Sequence, residues 1–226
     1  MREIRRVPAG HAIAWYAEAM RLWRRGPAAF SLLAFFLLAA NLLLALVPVA
    51  GVLVAQLTLP LLECSLLYAS LAADRNDRPR VRHLFAVLGA PPAALTAIVV
   101  AGLLIFGLEA VVARAVGGVD LLAPAANAQS FTGGSLVATY AAGMALSLPL
   151  VFVPFAALFD GAGFGAAFAQ SATAFARNPA PLALYGALSL ALLLLGLLTS
   201  GLGLLLGLPW AAAASYAAWK DIFGVA

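Results

Sequence analysis

Long stretches of this chain carry no charge at all, and short segments between them hold almost every charged residue. From Gly26 to Leu62, 37 consecutive residues include no Asp, Glu, Lys or Arg, and 84–108, 121–159 and 178–219 are equally uncharged. A helix rises 1.5 Å per residue, so about 20 residues cross a hydrocarbon core about 30 Å thick. The first window is too long for one crossing and suits two. The break is expected at Val47-Pro48-Val49-Ala50-Gly51, where proline withholds a donor and glycine tolerates a turn. The second window holds one span starting at Pro91-Pro92, since proline is accommodated in a first helical turn. In the third, PAANAQSFTGGS at 124–135 is loop composition, and the span begins near Leu136. The fourth window needs a hairpin broken near Thr199-Ser200-Gly201. The pattern predicts six transmembrane helices, at about 27–47, 51–73, 92–115, 135–158, 180–199 and 202–219.

Composition excludes the other broad classes. The chain is 65% hydrophobic and 10% charged, with a mean hydropathy of +1.03, whereas a soluble domain carries about a quarter charged residues. The apolar surplus must face lipid. The expected fold class is an all-α polytopic membrane helix bundle, one integral domain over 1–226. Arg2, Arg5, Arg6, Arg21, Arg24, Arg25, Arg75, Arg78, Arg80, Arg82, Arg177 and Lys220 fall at one face of that topology, and Arg114 alone at the other. The positive-inside rule then makes both termini cytoplasmic. A seventh span over 161–176 would scatter these charges across both faces. MREIRR followed by HAIAWYAEAM, with Glu18 inside it, lacks the apolar core and cleavage site of a signal peptide.

The segment before the first span reads as an amphipathic helix. Ile13, Tyr16, Ala17, Met20 and Trp23 mark one face and Ala14, Glu18, Arg21 and Arg25 the other, an arrangement suited to the cytoplasmic headgroups; a helix packed on the bundle is the alternative. The pattern recurs. AMRLWRRGPAAF at 19–30 resembles SATAFARNPAPL at 171–182, and Leu59-Pro60 with Tyr68 and Asp74 is echoed by Leu208-Pro209 with Tyr216 and Asp221. A weaker copy runs from VRHLFAVLGAPP at 81–92 through Pro154 to Asp160. Three parallel-repeat hairpins result, with units at about 9–74, 81–160 and 162–221, each with a short interfacial helix.

VPAGHAIAW, the repeated basic-(Gly/Asn)-Pro segment, FDG at 159–161 and YAAWKDIFG at 216–224 resemble an uncharacterised family of multi-pass inner-membrane proteins of proteobacteria. That family is similar in pattern to the membrane domain attached to some glycerophosphodiester phosphodiesterases. The resemblance implies a fold and a location, and no catalytic residue. Gly26 departs from it, since an Asn is usual before that proline, as does the unusually apolar last hairpin.

Chemistry in such a chain needs polar groups at membrane depth. Glu63 lies near the middle of the second span, and Asn41 and Gln56 are its expected hydrogen-bonding partners, alongside a carbonyl freed by Pro60. Glu63 is expected to face other helices. Glu109 and Arg114 read as an interfacial anchor at the outer end of the third span. Asp74, Asp160 and Asp221 read as caps or chain-closing residues. Cys64 is the only cysteine, so there is no internal disulfide, and no nucleophile–base pair is apparent. His11 and His83 lack partners at metal-ligand spacing. GAGFGAAF at 161–168 follows no strand and is not a dinucleotide fingerprint. Gly203-Leu-Leu-Leu-Gly207 matches GxxxG, a spacing that twenty glycines also supply by chance. DRNDRPRVR at 74–82 serves membrane orientation rather than nucleic acid.

No catalytic residue, metal or cofactor is expected, and the partners are the lipid bilayer and a membrane protein or second copy of this chain. The expected function is non-enzymatic, a structural, partner-binding or lipid-organising bundle. The alternative is a small transporter or permeability factor using Glu63 with Asn41 and Gln56. A polar cavity reaching Glu63 would favour the alternative, and a dry axis the first.

Overall fold

A computed structural model describes residues 3–47, 49–123 and 132–225. Pro48 and residues 124–131 of the expected loop lie outside the described residues. Among the described residues every regular element is helical: α1 (His11–Trp23), α2 (Pro27–Ala45), α3 (Ala50–Asp74), a 3-10 helix (Val81–Gly89), α4 (Pro92–Gly117), α5 (Gly133–Leu150), α6 (Val153–Leu158), α7 (Phe164–Arg177), α8 (Pro179–Leu198) and α9 (Leu204–Phe223). Pro27, Pro92 and Pro179 each open their helix at its first position, where a missing N–H costs nothing.

Among the described residues, five segments are long and apolar enough to cross a membrane: Pro27–Ala45, Ala50–Asp74, Pro92–Gly117, Gly133–Leu158 and Pro179–Leu198. The sixth expected span coincides with α9, whose last turn carries Lys220 and Asp221 and whose second half is almost wholly buried. The long helices close a ring. α2 packs on α3, α3 on α4, α4 on α5, α5 on α8, α8 on α9 and α9 back on α2. The outer wall is aliphatic, with Leu42, Leu43, Leu104 and Leu198 among its exposed side chains, a surface stable only against lipid. The core runs through Phe30, Leu33, Phe152, Phe155, Leu182 and Tyr216.

Three expectations change. The fourth span is not one helix but two. Pro149 and Pro154 withhold donors around Val151–Phe152, and the break is sealed by Ser171 of α7, whose hydroxyl accepts from the Phe152 N–H at 3.0 Å and donates to the Pro149 carbonyl at 2.7 Å.

The face of α1 is also different. Ala12, Trp15, Ala19 and Leu22 are buried, mainly against α9, while Ile13 is 65% exposed. α1 is thus docked on the bundle. Residues on both flanks of its stripe are apolar or aromatic, and contact with α9 selects the buried one. The 3-10 helix keeps an interfacial character, with Phe85 and Leu88 exposed beside Arg82.

Asp74 and Asp221 are tertiary partners rather than caps. Asp74 accepts from Lys220 at 2.6 Å and from Tyr216 at 3.0 Å, with Arg21 at 3.5 Å. Asp221 accepts from the Trp15 indole at 2.9 Å and meets His11 Nδ1 at 2.7 Å. Residues 4–7 are strapped across the same end. Asn178, buried, accepts from the Val7 N–H at 2.8 Å and donates to the Arg5 carbonyl at 2.9 Å and the Ala174 carbonyl at 3.1 Å. At the matching Gly26, Pro79 lies where a Cβ would stand, 3.0 Å away, which accounts for the glycine there.

One titration follows from this end of the molecule. Partial burial, then Arg82 and Arg80, lower the His83 pKa below its usual 6.5, with Asp77 opposing. Its Nδ1 accepts from the Arg80 N–H at 3.3 Å, which a protonated ring cannot do. Below about pH 6.5 the unfolded chain takes up a proton that the folded one resists, so stability falls on acidification and levels off below the folded-state value. Thermal unfolding of His83→Gln between pH 7 and 5 should show a shallower decline than wild type.

Candidate functional site

The ends of α2, α3, α4 and α5 remote from the arginine-rich face line a half-open cavity of about 560 Å³. Its polar wall is Asn41 from α2, Gln56 from α3, Glu109 from α4, and Thr139 and Tyr140 from α5, with the Phe106 ring beside them. Each residue arrives by helical register. Phe106 and Glu109 are three apart and share a face of α4, and Val52 and Gln56 are four apart on α3. Aliphatic side chains supply the remaining wall.

Small residues make room for Glu109. A Cβ on Gly143 of α5 would stand 1.9 Å from Glu109 Oε1, so α5 gives up a side chain where the carboxylate lies. Deeper in the bundle, a Cβ on Gly102 would meet the Pro60 ring at 2.5 Å, which brings α3 and α4 together at that level.

Glu63 stands one turn beyond Pro60, on the same face of α3 as Gln56 and Val52, seven and eleven residues away. Its side chain is exposed, although the neighbouring helices bring protein atoms close to it, and it does not line the cavity. Helical side chains lean towards their own N-terminus, so in these antiparallel helices Glu63 leans towards the cavity and Glu109 back towards Glu63. The two carboxylates are within electrostatic reach of one another, and Tyr140 of Glu109.

Hydrogen bonding is sparse for a polar cluster. Among the described residues, the side chains of Asn41, Gln56, Glu63, Glu109 and Tyr140 bond to no other protein group; Thr139 donates to the Ser135 carbonyl at 2.8 Å. The expected bonds from Glu63 to Asn41, Gln56 or a freed carbonyl are therefore absent. Asn41 and Gln56 instead share a cavity with Glu109, and Glu63 is not in its lining, so the cavity does not reach it as the transport alternative expected.

Glu109 lines the cavity eight residues, about 12 Å of helix, before the end of α4, and pairs with no base among the described residues; Arg114 is exposed beyond it. The signal was available in the apolar residues that continue α4 to Gly117. Thr139, Tyr140 and Phe106 had no such signal, because only packing of α4 on α5 brings them to the site. Cys64 is buried, donating to the Pro60 carbonyl at 3.3 Å. Among the described residues no three His, Cys, Asp or Glu gather as metal ligands.

No family model, curated protein or solved structure matches the chain.

The arrangement offers a polar cavity within helices of membrane-crossing length, a carboxylate in its wall and a second carboxylate further along α3. At the opposite end lie the Asp74–Lys220–Tyr216 contacts and the 4–7 strap.

Proposed function

We propose that this chain is an integral protein of a bacterial inner membrane that admits a small polar solute into its bundle, as a transporter or permeability factor. The cavity carries this reading: polar side chains without protein partners are costly at membrane depth, and they mark solute and ion paths. Asn41, Gln56, Glu109 and Tyr140 bind the solute, Glu63 stands on the inner continuation of the path, and the Asp74 cluster lies at the other end. The lipid-organising or partner-binding bundle is the second reading, favoured by the docked α1 and by the exposed Phe85 and Leu88.

Sidedness and repeat structure belong to the same proposal. The twelve-to-one distribution of basic residues supports cytoplasmic termini, which places the chamber in the outer half of the membrane. Three parallel units, six spans counting α9, are supported by how the short helices dock. α1 packs on α9, the 3-10 helix on α3, and α7 on α6, so each rests on the returning helix of the unit before it, cyclically. The likeness to the proteobacterial inner-membrane family fits this plan and adds no activity.

Proteoliposome flux tests the function. Wild-type protein should accelerate uptake of small polar solutes over protein-free vesicles, and Glu109→Gln, which retains shape, should reduce that uptake at least tenfold. Vesicles no more permeable than protein-free ones across the panel would remove the transport reading and leave the structural one.

A further inference from the structure

We infer that the solute taken by this chamber is an organic cation, a small protonated or quaternary amine; this rests on the transport reading and specifies its substrate class. The wall provides what an ammonium group requires. Glu109 presents a carboxylate with no lysine or arginine in the lining, and a charge in low-dielectric surroundings needs a counter-charge. Glu63 adds a second acid within electrostatic reach. Phe106 and Tyr140 place two aromatic rings in the same wall, and ring faces attract cations, most strongly where water is excluded. The amide oxygens of Asn41 and Gln56 and the Tyr140 hydroxyl have no protein hydrogen-bond partner among the described residues, which leaves them to accept N–H groups.

Other ligand chemistries fit less well. An anion would face Glu109 and Glu63 with no basic residue to meet it; Arg114 lies exposed beyond the chamber. A bare divalent metal ion wants six or more oxygen ligands close around it, and about 560 Å³ is far too large for that shell. The volume lies within the range that holds organic molecules. A neutral polar solute would leave the carboxylate uncompensated.

The test is equilibrium binding to detergent-solubilised full-length protein, read by thermal shift and calorimetry, with matched probes: phenethylamine, phenethyl alcohol and 3-phenylpropionate, and a parallel set built on tetramethylammonium and its neutral isostere neopentane. At least one cation should bind at least tenfold more tightly than its neutral partner, with no binding of the anion, and Glu109→Gln should abolish that preference. Gly143→Ala, which displaces the Glu109 carboxylate without touching its charge, should weaken the cation and spare the alcohol. Equal binding of cation and neutral isostere, or preference for the anion, would overturn the substrate class while leaving a solute chamber in place. No binding by any probe, with no flux in proteoliposomes, would overturn both. The comparison among probes on wild-type protein stands even if a variant fails to fold.

Discussion

Replacing Asn178 with alanine should lower the thermal midpoint of the solubilised protein by about 5 to 15 °C. Asn178 is the buried knot between the strap at residues 4–7 and the junction of α7 with α8. Truncation leaves the Val7 N–H and the Arg5 carbonyl without partners, and each such group costs about 1–3 kcal/mol. A combined loss of about 2–4 kcal/mol converts to that shift at about 2–4 °C per kcal/mol for a chain of this size. The neighbouring bonds, Arg177 to the Ile4 carbonyl at 3.1 Å and the Arg5 N–H to the Ile222 carbonyl at 2.8 Å, should not rescue it, because they flank the strap and do not replace its centre. Asn178→Asp keeps an acceptor for Val7 and loses both donated bonds, so it should fall between. A midpoint unchanged in Asn178→Ala would show that the strap does not hold the bundle closed.

Asp74→Ala should be the next most damaging change. Its carboxylate joins α3 to Lys220 and Tyr216 of α9 and to Arg21 of α1. Removing one member of a buried pair costs about 3–5 kcal/mol, but the Lys220 side chain is 26% exposed and that of Arg21 45%. Water recovers part of the loss, and about 1–3 kcal/mol is expected. A double-mutant cycle with Lys220→Ala isolates the pair and should give a coupling of about 0.5–3 kcal/mol. Additive losses would mean that the two residues stabilise their helices independently.

Much of the architecture was legible because lipid imposes a strict rule on sequence. Uncharged windows of measured length, with prolines at their starts, located α2, α3, α4 and α8 within a few residues of their observed ends. Side-chain direction was harder to read. The stripe on α1 was misassigned since Ile13 and Trp15 are both plausible core residues, and contact with α9 decides between them. Local bonding was harder still: Pro149 and Pro154 were visible in the sequence, but the split of the span depends on Ser171, seventeen residues beyond the second of them.

The site divides along the same line. Asn41 and Gln56 were recognisable as polar residues within apolar runs and do line the cavity. Glu63 was recognisable too, but it bonds to neither expected amide and lies within electrostatic reach of a second acid, Glu109. Glu109 was set aside as an anchor because Arg114 follows five residues later. The helix continues past both, so the acid lies inside while the arginine emerges. Thr139, Tyr140 and Gly143 acquire their roles only when α5 packs on α4.

The account stands on a polar chamber, reachable by water, inside a bundle surrounded by lipid. Single cysteines introduced into a Cys64→Ala background test this directly, using a membrane-impermeant thiol reagent added to intact cells. Asn41→Cys and Leu42→Cys are the decisive pair, adjacent on α2 at the same depth, one in the cavity wall and the other on the aliphatic exterior. Asn41→Cys should react from outside and be slowed by a bound amine. Leu42→Cys should stay unreactive, and Arg78→Cys should react only after the cells are permeabilised. Equal labelling of positions 41 and 42, or labelling of position 78 in intact cells, would contradict the account.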